Sequence, residues 1–145
     1  MLVLAVRPPP PDGCTSNRWG YALEIDDRSD ARLPYGYLRI TPNGGWNQVV
    51  IAADGTLQTA RGGCMSRADH ARFMRIVDEL QHAPWTTRPV ATCAAYSPSY
   101  REVRVLGKLV YTQRMCDGLA LDSASQRAYA DALAFAQSIQ GAGGA

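Results

Sequence analysis

Apolar and polar residues alternate along the first half of the chain in short runs that are separated by turn signals. The alternation predicts β-strands over residues 21–25, 35–40, 46–52 and 56–60. Asp54-Gly55 is typical of a two-residue hairpin turn, and it joins the last two of these strands. Consecutive hairpins of this kind predict an antiparallel meander for the front of the protein.

Two later segments carry apolar residues at helical spacing instead. The first begins at Ser66 and extends to about residue 81, and the second begins at Ser123. Each begins with a capping box, Ser-x-x-Asp at Ser66 and Ser-x-x-Gln at Ser123. In the first helix, helical spacing relates Phe73, Met74, Val77 and Leu80. In the second, the expected inner stripe comprises Tyr129, Ala132 or Leu133, Ala136 and Ile139.

Between the helices the pattern returns to strands, with a short one at residues 90–95 and a hairpin around Gly107-Lys108. Hairpins separated by single helices predict an α+β fold, an antiparallel sheet with both helices packed on one face. Residues 19–140 form this single domain, residues 1–18 a Pro-rich extended arm, and residues 141–145 a flexible tail. The predicted core comprises Val49, Ile51, Phe73, Val77, Leu80, Val103, Val105, Leu133 and Ile139.

Residues 26–30, Asp-Asp-Arg-Ser-Asp, predict a charged turn after the first strand. The acidic side chains Asp26, Asp27 and Asp30 lack the glycine and the distal glutamate of a calcium-binding EF-hand loop. We therefore interpret this segment as a solvated turn and not as a calcium site.

The four cysteines, Cys14, Cys64, Cys93 and Cys116, form no CxxC motif and no metal-ligand spacing. Widely spaced cysteines of this kind predict two disulfides and an oxidising compartment, hence a periplasmic or extracellular location. Cys93 and Cys116 flank the predicted hairpin, which favours Cys93–Cys116 with Cys14–Cys64 among the three possible pairings. Alanine is abundant, and fourteen of the fifteen basic residues are arginine, which is typical of a GC-rich bacterial genome.

The sequence offers one candidate pair of catalytic residues. Cys64 and His70 are a possible thiol–imidazole pair, which makes a small hydrolase the alternative function. A zinc site that adds His82 and Cys93 is disfavoured, because His70 and His82 point in different directions from one helix. There is no P-loop and no G-x-G-x-x-G motif. The sequence therefore predicts no catalytic residue, no cofactor and no metal.

The composition excludes two classes of partner. No run approaches the ~20 apolar residues of a transmembrane helix. The formal net charge is only +2, and the platform of aromatic and basic residues used by single-strand nucleic-acid binders is not evident. We therefore expect neither a transmembrane segment nor nucleic-acid binding.

The expected partner is another protein. The predicted binding element is the loop over residues 94–101, because it follows a tethered cysteine and is interrupted by Pro98. Its side chains are of the types that dominate interface hot spots. The predicted function is a non-enzymatic exported protein-binding domain, either an inhibitor or an accessory subunit of a larger assembly. The predicted binding residues are Ala95, Tyr96, Tyr100, Arg101 and Arg104.

One stretch resembles a known family. Cys93-Ala94-Ala95-Tyr96-Ser97-Pro98, followed by Val103-Arg104-Val105-Leu106-Gly107-Lys108 and then Cys116, is similar to the second half of subtilisin-inhibitor-like proteins. Those proteins are secreted α+β domains with two disulfides and a reactive loop after such a cysteine. The resemblance implies a protease-facing loop around Ala95 and Tyr96, and a protease inhibitor as a further alternative function.

Overall fold

The structure, a computed structural model, describes Cys14, residues 20–92 and residues 97–143. Its elements follow one another in the order of the predicted hairpins and helices. They are β1 (Leu23–Ser29), β2 (Tyr35–Ile40), β3 (Gly45–Ile51), β4 (Leu57–Cys64), α1 (Arg67–His82), β5 (Thr87–Pro89), β6 (Ser99–Val105), β7 (Lys108–Arg114), β8 (Leu119–Leu121) and α2 (Ser123–Gly143).

Six of the strands form one antiparallel sheet in the order β4-β3-β2-β1-β6-β7, and β5 pairs with β8 in a small second sheet. The meander β1 to β4 is joined to the later hairpin through β1, which pairs with both β2 and β6. Ile25 on β1 lies opposite Leu38 on β2 and Val103 on β6. The α+β fold with an antiparallel sheet is confirmed.

One face of this sheet carries the core. Because side chains alternate along a strand, Leu23 and Ile25 of β1 share a face with the buried residues of β2 and β6. That face packs against α1 and α2, whose residues Phe73 and Phe135 stack with ring centroids 5.8 Å apart. Both helices therefore lie on the same side of the sheet, as the sequence predicted.

The predicted core is confirmed for most of its members. Phe73, Val77, Leu80, Val103, Val105 and Ile139 are buried, and Leu133 packs partly buried against them. Val49 and Ile51 are only half-buried, so their placement in the core was wrong. The pairing of β3 with β2 explains why, since Val49 lies opposite Tyr37 and Ile51 opposite Tyr35, on the face away from the helices.

The predicted charged turn at residues 26–30 was also wrong. β1 continues through Asp26, Asp27 and Arg28 to Ser29. These charged side chains form ion pairs with charges on neighbouring strands, so the segment belongs to the sheet and not to a turn. Strand boundaries differ elsewhere too: β4 extends to Cys64, and β5 lies at residues 87–89, before the predicted strand at 90–95.

The two helix starts have different caps. The Ser66 hydroxyl accepts a hydrogen bond from the Asp69 backbone N–H at 3.1 Å, as the capping box predicts. For α2 the cap is Asp122 and not Ser123, because the backbone N–H and hydroxyl of Ser125 both donate to the Asp122 carboxylate. These bonds, together with one from the Thr86 hydroxyl, lower the pKa of Asp122. The helix then continues to Gly143.

A single disulfide, Cys14–Cys64, lies among the described residues, and not the two that the sequence predicted. It confirms the predicted partner of Cys14 and links residues 50 positions apart in the sequence. On the chain-entropy model a crosslink of this span stabilises the fold by roughly 4 kcal/mol. Cys116 is not a free thiol. Cys93 lies outside the described residues, so the Cys93–Cys116 bond stays a prediction.

The assignment of the buried face can be tested with a leucine-to-alanine substitution at one buried and one exposed position. Leu80 is fully buried between helix and sheet, whereas Leu57 on the edge strand β4 is 63% exposed. Leu80→Ala should lower the free energy of unfolding by about 2–5 kcal/mol, through lost transfer free energy and a residual cavity. Leu57→Ala should change it by less than about 1 kcal/mol. Urea unfolding of both variants measures the difference, and equal effects would contradict the assignment of the buried face.

Candidate functional site

The second face of the sheet, turned away from both described helices, carries charged and aromatic side chains. Every other residue of the three central strands points to this side. We call it the polar face. It consists of Glu24, Asp26 and Arg28 on β1, Tyr35, Tyr37 and Arg39 on β2, Tyr100, Glu102 and Arg104 on β6, with Val49 and Ile51 on β3 and Arg114 on β7.

The carboxylate of Asp26 lies at the centre of the polar face and is only 1% exposed. Two arginines surround it. The Arg39 guanidinium donates to Asp26 through Nη2 at 3.0 Å and Nε at 3.4 Å, and Arg28 donates through Nη2 at 3.2 Å. A buried carboxylate without partners would destabilise the fold by several kcal/mol, so these two arginines are required where they are.

The ion pairs continue outward from this centre. Arg28 reaches Glu102 on β6 with Nε 2.7 Å from the carboxylate, and Arg104 lies 3.3 Å from the same residue. On the other side Arg39 lies 3.6 Å from Glu24. These ion pairs cross β1, β2 and β6, and they contain three carboxylates and three guanidinium groups. Within the network the charges therefore balance.

Tyrosine rings lie beneath the arginines. The Arg39 guanidinium lies 3.9 Å from the centroid of the Tyr37 ring, and Arg114 lies 4.7 Å from the Tyr100 ring. Arg28 stands 5.7 Å from the Tyr35 ring, which itself meets Tyr37 edge to face at 6.0 Å. Cation–π contacts of this type hold both the ring and the guanidinium in place. The aromatic and cationic groups of the polar face thus hold one another in place.

Burial and neighbouring charge act on the acid–base properties of this network. The pKa of Glu24 is raised, mainly because the carboxyl group is partly buried and secondly because it faces the negative charge of Asp26. For Arg39, burial lowers the pKa, but the hydrogen bonds and charge of Asp26 outweigh burial and raise it. Arg39 is therefore permanently cationic, whereas Glu24 gains its charge at a higher pH than an isolated glutamate.

The predicted binding residues are divided between the two sides of β6. Tyr100 and Arg104 lie on the polar face, but Arg101 points to the helix side and bonds Asp27 with Nε 2.6 Å from Oδ1. Tyr100 and Arg101 belong to a strand that starts at Ser99, so the segment is shorter than the loop over residues 94–101 that we predicted. Ala95 and Tyr96 lie outside the described residues, and their role stays a prediction.

Sequence reasoning missed most of the network. The signal was present in the strand β2 that it predicted with the right limits, where Tyr35, Tyr37 and Arg39 follow one another at every second position. The same spacing relates Glu24, Asp26 and Arg28, but the predicted turn at residues 26–30 concealed it.

The alternative catalytic pair does not form. Cys64 is bonded to Cys14 and therefore has no thiolate to offer as a nucleophile. The His70 ring lies 2.7 Å, through Nε2, from the carbonyl oxygen of Pro42, and the His82 ring bonds the backbone of its own helix at Asp78. In the part of the chain that the structure describes, no three His, Cys, Asp or Glu side chains come together as a metal site.

The raised pKa of Glu24 gives a direct test of the network. Its carboxyl carbon, followed by ¹³C NMR, should titrate above the ordinary value of 4.5. Asp26→Asn removes one cause of the increase and leaves burial in place, so the midpoint should fall part of the way back. Because the folded state binds this proton more tightly than the unfolded state, Glu24 makes the protein less stable as the pH rises from about 4.5 through the raised pKa. A midpoint at or below 4.5 in the unsubstituted protein would contradict the described geometry.

No protein-family model, no curated protein and no solved structure matches this chain. What the polar face does must therefore follow from its own chemistry. It presents aromatic planes and arginines in fixed positions, with charges that balance locally and with half-buried Val49 and Ile51 beside them. Enrichment in tyrosine and arginine is typical of protein–protein interfaces.

Proposed function

We propose that this chain is a non-enzymatic, exported protein-binding domain and that the polar face is its binding surface. The observation that carries the proposal is the interleaving of tyrosines and arginines across β1, β2 and β6, each held by an ion pair or a ring contact. Tyrosine and arginine are the residue types that contribute most of the binding free energy at interfaces.

The fixed arrangement favours tight association. Immobilising a long side chain on binding costs about 0.5–1.5 kcal/mol. The Arg39 side chain already lies between the Tyr37 ring and the Asp26 carboxylate, so most of this ordering occurs when the domain folds. A partner that covers the polar face would therefore gain contact area without having to order these groups.

The charges of the face restrict the kind of partner. Arg28, Arg39 and Arg104 are each paired with a carboxylate, so they are poorly suited to neutralising phosphates. Val49 and Ile51 lie opposite Tyr37 and Tyr35, and together they make an apolar strip next to the ion pairs. This mixture suits a protein surface that places apolar side chains against Val49 and Ile51 and hydrogen-bonding groups over the neighbouring ion pairs.

Export is the second part of the proposal. The Cys14–Cys64 disulfide is compatible with the bacterial periplasm or the extracellular space, where disulfides persist. None of the helices in residues 20–92 and 97–143 is both long enough and apolar enough to cross a membrane. In such a location the domain would act as an inhibitor or as an accessory subunit of a larger assembly.

Site-specific photo-cross-linking tests the binding surface. A photoreactive phenylalanine is placed at Tyr37 on the polar face or at Arg75, which is exposed on α1, and each protein is irradiated in an envelope extract of the source cells. The Tyr37 position should give a discrete cross-linked species that the Arg75 position does not. Unlabelled competitor proteins then test individual residues of the polar face. The unsubstituted protein and the control variant Arg75→Ala should suppress the cross-link equally.

Arg39→Ala is the decisive competitor. It should compete at least about fivefold less well, which corresponds to a loss of about 1 kcal/mol. The melting temperature of each competitor is measured so that a folding defect is recognised as such. The same cross-link from both positions, or equal competition by Arg39→Ala, would refute the polar face as the binding surface. The same photoreactive residue placed at Tyr96 tests the predicted loop, and a cross-link obtained only from that position would instead favour an inhibitor-like loop.

A further inference from the structure

A groove of about 720 Å³ lies on the other side of the sheet, beneath the C-terminal half of α2. It passes under five strands, from Gln48 on β3 to Gln113 on β7, and its floor includes Ile25, Leu38 and Val50. Its volume lies within the range of about 300–1,000 Å³ that is usual for ligand sites. Its lining also includes backbone positions of the polar face, whose side chains the strand register directs to the other side of the sheet: Arg28, Tyr35, Tyr37, Val49 and Tyr100.

Gly36 accounts for part of the volume of the groove. This residue lies on the helix side of β2, opposite Asp27 on β1 and Val50 on β3, where any other residue would place a side chain on the floor. A Cβ at this position would come within 3.0 Å of the Val49 carbonyl oxygen. The small residue Ala136 lies in the facing wall of α2. The groove is therefore a consequence of small residues in both layers.

The charges at the groove neutralise each other. Arg101 forms a two-point ion pair with Asp27, with Nε 2.6 Å from Oδ1 and Nη2 3.2 Å from Oδ2. The hydroxyl of Tyr129 donates to Gln113 Oε1 at 2.7 Å, which fixes one end of the groove. A charged ligand would find its counter-charge already occupied, so the groove suits an uncharged one.

Four glutamine side chains surround the groove. Gln48 and Gln113 belong to the sheet, while Gln137 and Gln140 lie one helical turn apart on α2. An amide group both donates and accepts hydrogen bonds, and it therefore matches a ligand that offers N–H and C=O groups in alternation. From β3 to β7 the groove crosses four strand spacings, about 19 Å, which equals about six residues of extended chain.

We propose that this groove binds an extended, uncharged peptide segment of about six residues. The glutamines hydrogen-bond its backbone, and Ile25, Leu38 and Val50 contact its apolar side chains. The amide oxygens of Gln113 and Gln48 already accept hydrogen bonds from Tyr129 and Arg61. An acyl chain would offer no further hydrogen bond to the four amide groups, and its carboxylate would compete with Asp27 for Arg101. The proposal does not depend on the polar face, since different residues on the opposite side of the sheet carry it.

Selection from a phage-displayed library of random hexapeptides, with the purified full chain as bait, identifies the ligands. The selected sequences are synthesised with blocked termini, and their dissociation constants are measured by calorimetry. Gln48→Leu and Gln137→Leu should each weaken binding at least tenfold, and Ala136→Phe, which fills the groove, should abolish it. Gln126→Leu is the matched control, because Gln126 is exposed on the first turn of α2 outside the groove and should bind normally.

Failure to enrich any peptide above bait-free support would overturn the proposal, as would equal affinities for Gln137→Leu and the unsubstituted protein. Decanoate and maltohexaose are titrated separately while the side-chain amide signals of the four glutamines are followed by NMR. Saturable shifts with either compound, without shifts from the peptides, would assign the groove to an acyl chain or an oligosaccharide instead. Peptide affinity reports on the groove and cross-linking from Tyr37 reports on the polar face, so failure of the groove and failure of the polar face are distinguishable.

Discussion

A carboxylate that is 1% exposed in the middle of a sheet destabilises the fold unless positive charges pair with it, and Asp26 is such a carboxylate. It belongs to β1, the strand that connects the β2–β4 meander to the β6–β7 hairpin. Arg39 from the neighbouring strand and Arg28 from its own strand supply the match. The placement of these guanidinium groups in turn fixes Tyr37, Glu24 and Glu102, so one buried charge organises the whole face.

The alternation of side chains along each strand gives the domain two different sides. Strand β6 directs Val103 and Val105 into the core and Arg104 to the polar face. Arg101 lies on the same side as the two valines and lines the groove beneath α2. The polar face is stabilised by ion pairs across strands, and the groove is left open by small residues. Their chemistry differs accordingly: one offers rigid arginine and tyrosine planes, and the other offers neutral amides above an apolar floor.

The sequence determined the fold class through local signals. The limits of β2 and the start of α1 follow from alternation and from a capping box, both of which depend on residues close together in the chain. The error at residues 26–30 has a different origin. A run of charged residues resembles a turn, and only the pairing of β1 with β2 and β6 shows that its charges are neutralised by residues far away in sequence.

The candidate site was harder to predict for the same reason. Tyr100 and Arg101 are adjacent in the chain and were expected to act together, yet a strand places neighbours on opposite sides. Val49 and Ile51 are apolar and were therefore expected in the core. Only the register of β3 with β2 assigns them to the other face. The cap of α2 at Asp122 depends in part on Thr86, which is remote in sequence.

A double-mutant cycle measures the central interaction directly. Asp26→Ala, Arg39→Ala and the double variant are unfolded with urea, next to the same cycle for the more exposed pair Asp27 and Arg101, whose side chains are 57% and 35% exposed. We expect a coupling free energy above about 1.5 kcal/mol for the buried pair, because removal of either partner leaves an unmatched charge. The exposed pair should couple by less than about 1 kcal/mol. A coupling for Asp26 and Arg39 no larger than that of the exposed pair would contradict the central place of the buried carboxylate.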